Sequence, residues 1–446
     1  MSYTLKPREI PMHDGYDVIV VGGGPAGVAA AYSAAREGAN TLLIEATGAL
    51  GGMSTMGMVP AWCPFSDKEK IIYRGLAERI FNAGKAETPF VDPKRLDWVP
   101  INPEVMKVIY DDLMNEVGVK VLFGTVLSSV DAEDGTINAI IVTNKAGLSA
   151  YSAKVYIDCT GDGDLSAYAG AEFHLGDDDD PPSVQMSTLC FSLGGVKDEV
   201  YRSGITLHGD NRNSPIWKMK DDPRFPYITD AHFCNNTIGK GAVGFNAGHL
   251  PEFVGTDPEE LSKAYMIGRK KAHDVAKGLA EYYPEAFADA YVLETAPLMG
   301  IRESRRIVGD YTLTADDYMS RATFPDEISR NSYYLDVHRT AKEKAAQIAA
   351  GISEEKVNAR YGKGESHGIP YRCLTPKGMI NLLCAGRIIS CDRRILGSVR
   401  VMPNCFTTGE AAGLAAALAA SGDSNVHAVD VGLLRDKLRE YGAYFN

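Results

Sequence analysis

The sequence predicts a doubly wound α/β domain assembled from both ends of a 446-residue chain, with a β-rich α+β segment inserted between them. Three observations predict it. A β-branched run, Tyr16-Asp-Val-Ile-Val-Val21, passes through Gly22-Gly-Gly-Pro-Ala-Gly27 into an alanine-rich stretch and then a second apolar run. Far along the chain, Ile380-Asn-Leu-Leu-Cys-Ala385 reads as another buried strand, and a helix of small residues is expected over 409–420. Between about 170 and 368 the texture changes to loops rich in Gly, Asn and Pro with short strands. The expected division is therefore discontinuous, 1–170 with 370–446 in one unit and 171–369 in the other.

Composition sets the class. Charge is 46 basic against 58 acidic residues, a net -12, which argues against a nucleic-acid binder or a polybasic membrane anchor. At 45% hydrophobic and 23% charged residues the chain reads as an ordinary soluble globular protein. Glycine is 45 of 446 residues, above the usual ~7%, and much of the excess sits in a few loops. The eight cysteines include no Cys-x-x-Cys pair and no zinc-finger spacing, so scattered thiols in a reducing compartment are expected, and no metal. The first sixteen residues have no apolar h-region, and the longest apolar stretch is broken by its glycines and Pro25. A cytoplasmic protein without a membrane span is expected.

The elements follow in order. Tyr16–Val21 is short and β-branched, as strands buried in a parallel sheet are. Residues 28–37 form a helix closed by Gly38, and Asn40-Thr-Leu-Leu-Ile-Glu45 a second strand, giving a βαβ unit of about 30 residues. Pro103–Val117 carries apolar residues at helical spacing. Residues 119–123, 126–130, 137–143 and 154–158 read as strands, and Asp177 to Pro182 as a solvated acidic loop without calcium-loop spacing. Helices are expected near 258–283 and 341–350.

The first glycine run carries chemistry because of its context. Gly22-x-Gly24-x-x-Gly27 follows a strand and opens a helix: one glycine for the turn, one for approach to a pyrophosphate, one for close packing of helix on strand. The phosphates would meet free N–H groups at the helix start, near Pro25 and Ala26. Glu45, 18 residues after Gly27 and followed by Ala46, ends the next strand, where a carboxylate accepts from ribose hydroxyls. This is a Rossmann-type dinucleotide site, and NAD enzymes share it with flavoproteins. Two features favour FAD. Gly48-Ala-Leu-Gly-Gly-Met-Ser-Thr55, with Gly51, Gly52, Met53, Ser54 and Thr55, would line an extended cofactor. Ala385-Gly-Arg387 and Val401-Met-Pro-Asn-Cys-Phe-Thr-Thr-Gly409 lead into a small-residue helix whose N-terminus would stabilise negative charge on a reduced ring.

With Asp17–Gly27, Glu45, Gly51-Gly52, Asp158-Cys-Thr-Gly-Asp-Gly163, Ala385-Gly-Arg387, Ser398-Val-Arg-Val-Met-Pro403, Gly409-Glu-Ala-Ala-Gly413 and Gly300-Ile-Arg-Glu-Ser-Arg-Arg-Ile-Val-Gly-Asp310, the chain resembles the FAD-dependent oxidoreductases of the glutathione-reductase-like superfamily. Wider relatives include the flavoprotein subunits of fumarate reductase and succinate dehydrogenase. The resemblance implies further FAD contacts at Val126, Thr160, Gly161, Asp162, Gly386, Arg387, Val401 and Met402. Relatives that bind flavin covalently use a histidine in the loop after the Gly-Gly pair; residues 53–63 contain none, so non-covalent FAD is expected.

On the substrate side, flavin accepts a hydride from a C–H beside an alcohol or amine while a base removes the heteroatom proton. Of nine histidines, two stand out. His338 ends Ser332-Tyr-Tyr-Leu-Asp-Val-His338, and on a strand it would share a face with Asp336. His367 lies where the insertion returns, beside Tyr371 and Arg372. Both have plain structural alternatives. Arg302, one helical turn from Arg306 if that segment is helical, could hold a carboxylate or donate a proton as an arginine does in fumarate reductases; an inter-domain ion-pair network is the alternative. The expected function is hydride transfer from a small polar alcohol-type substrate to FAD, with an unnamed electron acceptor and a homo-oligomer left open. Two alternatives stand: reduction of an activated double bond with an arginine acid, or a non-catalytic electron-carrying FAD subunit.

Overall fold

The computed structural model describes residues 6–178, 182–351, 353 and 357–446. Asp179, Asp180 and part of the acidic loop lie outside the described residues. The βαβ unit forms as its pattern dictates: β1 (Met12–Val21) goes from exposed to buried along its length, and only its buried end is paired on both sides. β1 pairs in parallel with β6 (Gly147–Asp158) along its length and with β2 (Thr41–Ile44) on the other side from Val18 onward. With β3 (Lys120–Leu122), β4 (Val126–Glu133), β5 (Thr136–Asn144) and β15 (Leu382–Cys384) they make a seven-stranded sheet in the order β3-β2-β1-β6-β5-β4. β15 joins the C-terminal half of β6, so one long strand serves the meander with its first half and the returning chain with its second. Asn381 clamps that return by exchanging hydrogen bonds with the N–H and C=O of Ile137 at 2.9 and 3.0 Å.

Alternate residues of the buried strands face opposite ways, as pleating requires. Val18, Val20 and Leu43 pack under two helices, Pro25–Arg36 and Met402–Ala420. Ile19, Val21, Leu42 and Ile44 pack with Ile137, Ile140 and Val142 of β5. The helix of small residues begins at Met402 rather than 409, because Pro403 fits its first turn and lacks only an N–H that would be unpaired there. Gly409 and Gly413 let the two helices touch: a Cβ at either would stand 2.2 or 2.0 Å from a carbonyl oxygen of Ala26 or Ala30. Helix Pro103–Val117 starts and stops where the sequence places it, capped by the Asn102 side chain and by left-handed Gly118.

Residues 191–287 hold a core of their own, with Phe191 and Phe245 stacked at 5.1 Å. It lies between helix Pro258–Tyr282 and an antiparallel sheet ordered β11-β8-β10-β9, formed by β8 (Phe191–Gly194), β9 (Phe233–Gly239), β10 (Ala242–Ala247) and β11 (Tyr291–Thr295). Leu313, Leu335, Ile369 and Leu374 pack instead into the main core. Two corrections follow in this region. Arg302 and Arg306 are not on a helix: the chain is extended and enters the short strand β12 (Arg305–Ile307), so their side chains point to different neighbours. Residues 332–340 are irregular rather than a strand, yet Asp336 and His338 still meet. No helix among the described residues is long and apolar enough to cross a membrane.

Candidate functional site

Three strand ends converge at register partners Val21, Ile44 and Asp158, and a cavity of about 320 Å³ opens beyond them. Gly22 takes a left-handed φ of +96°, and a Cβ there would lie 2.4 Å from the Cys159 carbonyl oxygen. Gly27 is tighter: its Cβ would lie 1.7 Å from the Gly22 carbonyl oxygen. Gly24 caps helix Pro25–Arg36 with no side chain of its own, and a Cβ there would meet no protein atom, so its open side faces the cavity. Glu45 braces the loop, its carboxylate accepting from the Gly23 N–H at 2.7 Å and the Thr47 N–H at 2.6 Å.

The second turn is shaped by Asp158, whose carboxylate accepts from the N–H and hydroxyl of both Thr160 and Ser166 at 2.8–3.0 Å. Burial raises the Asp158 carboxyl above its ordinary value. Thr160, Gly161 and Asp162 line the cavity, and Arg387 Nη2 donates to Asp162 at 2.7 Å. The Nε atoms of Arg387 and of Arg400, another lining residue, are buried without a hydrogen-bond partner. A glycine cradle, a helix start, a second polar turn and unpartnered guanidinium nitrogens fit an extended, anionic dinucleotide such as FAD.

Of the residues expected to bind it, Gly22, Gly24, Pro25, Ala26, Glu45, Ala46, Gly52, Met53, Val126, Gly386 and Met402 also line this cavity. Others stand behind it. Gly27 and Gly409 make room for packing, Ser54 bonds the Tyr110 hydroxyl at 2.8 Å, Thr55 donates to the Leu50 carbonyl, and Gly51 lies against Tyr110. Val401 is buried as the N-cap of helix Met402–Ala420.

A second constellation adjoins Arg400. β9 and β10 are antiparallel with Phe233 opposite Ala247, which puts His232 and His249 at one end of the hairpin. Their rings stack at 4.4 Å. His249 Nδ1 is 2.6 Å from Asp230 Oδ2, and its Nε2 is 2.7 Å from His338 Nδ1. His338 Nε2 faces Asp336 Oδ2 at 3.4 Å. Asp336 also accepts from the Tyr333 hydroxyl at 3.1 Å, and its backbone carbonyl accepts from Arg400 at 3.0 Å. Arg302 donates to the Met186 carbonyl, Thr188, Asn246 and His232 Nε2, at 2.7, 2.8, 3.3 and 3.3 Å.

Burial, reinforced by the Arg302 charge, pushes His338 down to about 3, so its ring is neutral at ordinary pH. Burial also raises Asp336, but His338 in its protonated form and the two arginines outweigh it and hold that carboxylate far below its ordinary value. Burial, with repulsion from Arg400, lowers Arg302 to about 10. One nitrogen from each of His232, His249 and His338 lies within 4.8 Å of the others, a grouping able to hold a metal. In this structure Arg302 donates to His232 Nε2 and His249 Nε2 lies 2.7 Å from His338 Nδ1, so these nitrogens already have partners of their own.

His367 and Tyr371 are not brought to this place. His367 is fully buried in β14 (His367–Pro370), its Nδ1 3.0 Å from the Tyr361 hydroxyl and its Nε2 beside Asn331. Tyr371 donates to the Val426 carbonyl at 2.8 Å. Burial, with the nearby Arg330, lowers His367 to about 3, whereas the unfolded chain titrates near 6.5. Unfolding therefore takes up a proton between those values. This stability is complete above about pH 6.5 and falls as pH drops toward 3, by ~1.4 kcal/mol per pH unit for one such ring. Urea midpoints measured across that window should fall less steeply for His367→Gln; an equal slope would show that His367 does not supply this acid sensitivity.

The ion-pair alternative for the arginine segment is seen in part: Glu303 is buried between Arg306 at 2.7 Å and Arg393 at 3.1 Å, while Arg302 turns to the histidines. Sequence reading missed Asp230, His232, His249 and Arg400. Only Arg400 had a visible signal, its place between Ser398 and Pro403; the others precede or follow short strands with no periodic mark.

A family model described as FAD dependent oxidoreductase matches residues 17–438. A glutathione reductase of Yarrowia lipolytica is 31% identical over 216 residues, 45% of this chain and 44% of that protein. A dihydrolipoyl dehydrogenase of Trypanosoma brucei brucei is 47% identical over 55 residues, 12% of each chain. The chain thus matches less than half the length of these curated relatives. Among solved structures, a geranylgeranyl bacteriochlorophyll reductase-like protein from Thermoplasma acidophilum is 14% identical with a TM-score of 0.44, covering 96% of this chain and 83% of that one. The p-nitrophenol 4-monooxygenase of Pseudomonas putida DLL-E4 is 10% identical with a TM-score of 0.45, covering 96% and 84%.

Proposed function

Because the chain belongs to the FAD-dependent oxidoreductase family, we propose that this enzyme takes a hydride from a small polar alcohol or amine that also carries an anionic group, with His338 as the base. When bound, FAD supplies the two-electron acceptor. The loop Gly22–Gly27, the turn Thr160–Asp162, Arg387 and the start of helix Met402–Ala420 would hold it.

One observation carries the reading: Arg400 belongs both to the cavity wall and to the His338–Asp336 cluster. A base, a carboxylate partner and a guanidinium with an unpartnered Nε are thereby adjacent to the cofactor cradle. Arg400 can hold the anionic group of the substrate, and His338 can take the proton from its hydroxyl or amine. Asp336 stabilises the imidazolium that forms, which is worth more in a buried site than in water. His232 and Arg302 fix one wall, and Tyr333 orients Asp336 from the other side.

The reverse reaction, reduction of a double bond with Arg302 as acid, has one observation in its favour, the lowering of Arg302 to about 10. Against it, both Nη atoms of Arg302 already donate to protein groups. The test is the visible spectrum of the purified yellow protein, followed without oxygen as 2-hydroxy acids, amino acids and neutral polyols are added. Bleaching by one acid class and not by polyols is expected. Bleaching by neutral polyols alone would remove the anionic requirement. No bleaching by any of them, with reoxidation of dithionite-reduced protein by an unsaturated acid, would establish the reverse direction.

A further inference from the structure

With His338 read as the base, its neighbours decide which of its ring nitrogens is bare. Asp230 sits at one end of the chain of contacts. Its carboxylate accepts the backbone N–H of His232 at 3.1 Å and of His249 at 3.3 Å, besides facing His249 Nδ1 at 2.6 Å. Backbone N–H groups only donate, so this carboxylate is used as an acceptor throughout. At 2.6 Å, His249 Nδ1 must carry a hydrogen, because two acceptors at that distance would repel. A neutral His249 then has a bare Nε2. His338 Nδ1, 2.7 Å away, must donate to it. A neutral His338 with hydrogen on Nδ1 has its lone pair on Nε2, and that atom faces Asp336.

The opposite arrangement starts from Asp336. A hydrogen on His338 Nε2 would give it a donor contact of 3.4 Å, longer than an ordinary N–H···O bond. Burial lowers the pKa of His249 and favours its neutral ring, and with that ring neutral the opposite arrangement would also force its bare Nδ1 toward the Asp230 carboxylate at 2.6 Å. The short contact outweighs the long one. The charged groups around the chain do not change this order. Arg302 reaches it through His232, Lys271 Nζ donates to the His249 carbonyl, Arg400 lies on Asp336, and Lys344 adds a weaker positive charge at His249.

We propose that Asp230 and His249 are positioning residues that hold His338 in the Nδ1–H tautomer and so leave Nε2 free, beside Asp336, to take the substrate proton. In the step itself the substrate O–H or N–H bond breaks and its proton moves to His338 Nε2. FAD, when held in the cradle, would supply the two-electron acceptor for the hydride of the adjacent C–H bond, and a carbonyl or imine would be left. The positive charge on His338 is shared through the Nδ1–H bond to His249 and on to Asp230. The arrangement adds an imidazole between base and carboxylate to the logic by which a buried aspartate sets the tautomer of a catalytic histidine.

The tautomer is readable without any substrate. In the FAD-loaded enzyme labelled with 15N-histidine, long-range 1H–15N spectra separate protonated from bare ring nitrogens; the His232→Gln, His249→Gln and His338→Gln variants assign the signals. Wild type is expected to show His338 with Nδ1 protonated. Asp230→Ala is expected to shift His338 to the Nε2–H form, paired with Asp336. Asp230→Asn, whose amide oxygen still accepts from His249, should keep the original form. If Asp230→Ala does not fold, His249→Phe makes the same test by removing the acceptor of His338 Nδ1. A wild-type His338 protonated on Nε2, or a tautomer unmoved by Asp230→Ala or His249→Phe, would overturn the proposal. Either result leaves the bleaching experiment free to decide separately whether the enzyme oxidises an anionic substrate.

Discussion

A His338→Gln variant is expected to stay yellow and to lose roughly 10²–10⁴ in the rate at which substrate bleaches its flavin, the usual worth of a positioned general base. Glutamine keeps a polar side chain between His249 and Asp336 but cannot take up a proton. His338 is not among the residues lining the cofactor cavity, so the flavin spectrum and affinity should not change. Stopped-flow reduction by the compound found in the titration measures the loss, and reduction by dithionite, which needs no base, serves as control. A rate within about threefold of wild type would remove His338 from the reaction, since a base contributes far more than that. Because the folded protein holds His338 neutral down to about pH 3, the acid limb of the wild-type reduction rate should not report the ordinary histidine value.

The second large effect separates fold from cofactor within one loop. Gly27→Ala is expected to yield a colourless, destabilised protein. Its methyl group would have to stand 1.7 Å from the Gly22 carbonyl oxygen, so the helix start must move off the strand. Overpacking of this kind costs ~1–3 kcal/mol, and here it also turns the cradle away from the phosphates. Gly24→Ala is expected to behave differently. Gly24 has an ordinary φ of -70° and open space at its Cβ, so the apoprotein should melt as wild type does while binding FAD more weakly. Thermal unfolding of both apoproteins, with absorbance titration by FAD, checks the pair. Equal melting temperatures for Gly27→Ala and wild type would contradict the packing argument.

What could be read in the sequence was what short-range chemistry specifies. Tyr16–Val21, the glycines after it and Glu45 lie in one continuous stretch, and each residue type is required by its neighbours, so strand, turn and helix were legible together. Helix Pro103–Val117 was legible to the residue because Asn102, Pro103 and Gly118 are caps whose effect is local. The start of helix Met402–Ala420 lies before its alanine-rich body because a proline is compatible with the first helical turn, although it breaks a helix elsewhere. The proposed acid–base cluster was half legible. Asp336 and His338 are two residues apart, and Arg302 stood out in an arginine-rich run. His249 comes from a hairpin end and is brought to His338 across 89 residues by tertiary packing alone. His367 misled for the complementary reason: its position beside the returning chain suggested a junction, but β14 faces the core and keeps the ring dry.

The strand β15 and helix Met402–Ala420 close the wall of the cradle from the far side of the chain, and this has a consequence for biosynthesis. Ribosomes deliver ~5–20 residues per second. The buried face of helix Pro25–Arg36 therefore waits roughly 20–75 seconds for its partner to emerge. In that interval Ala26 and Ala30 lack the helix they pack against and the second half of β6 is paired on one side only, by β1, while the segment 191–287 has a core of its own. Capture of the flavin therefore waits until the cavity-lining residues between Ala385 and Cys405 have emerged.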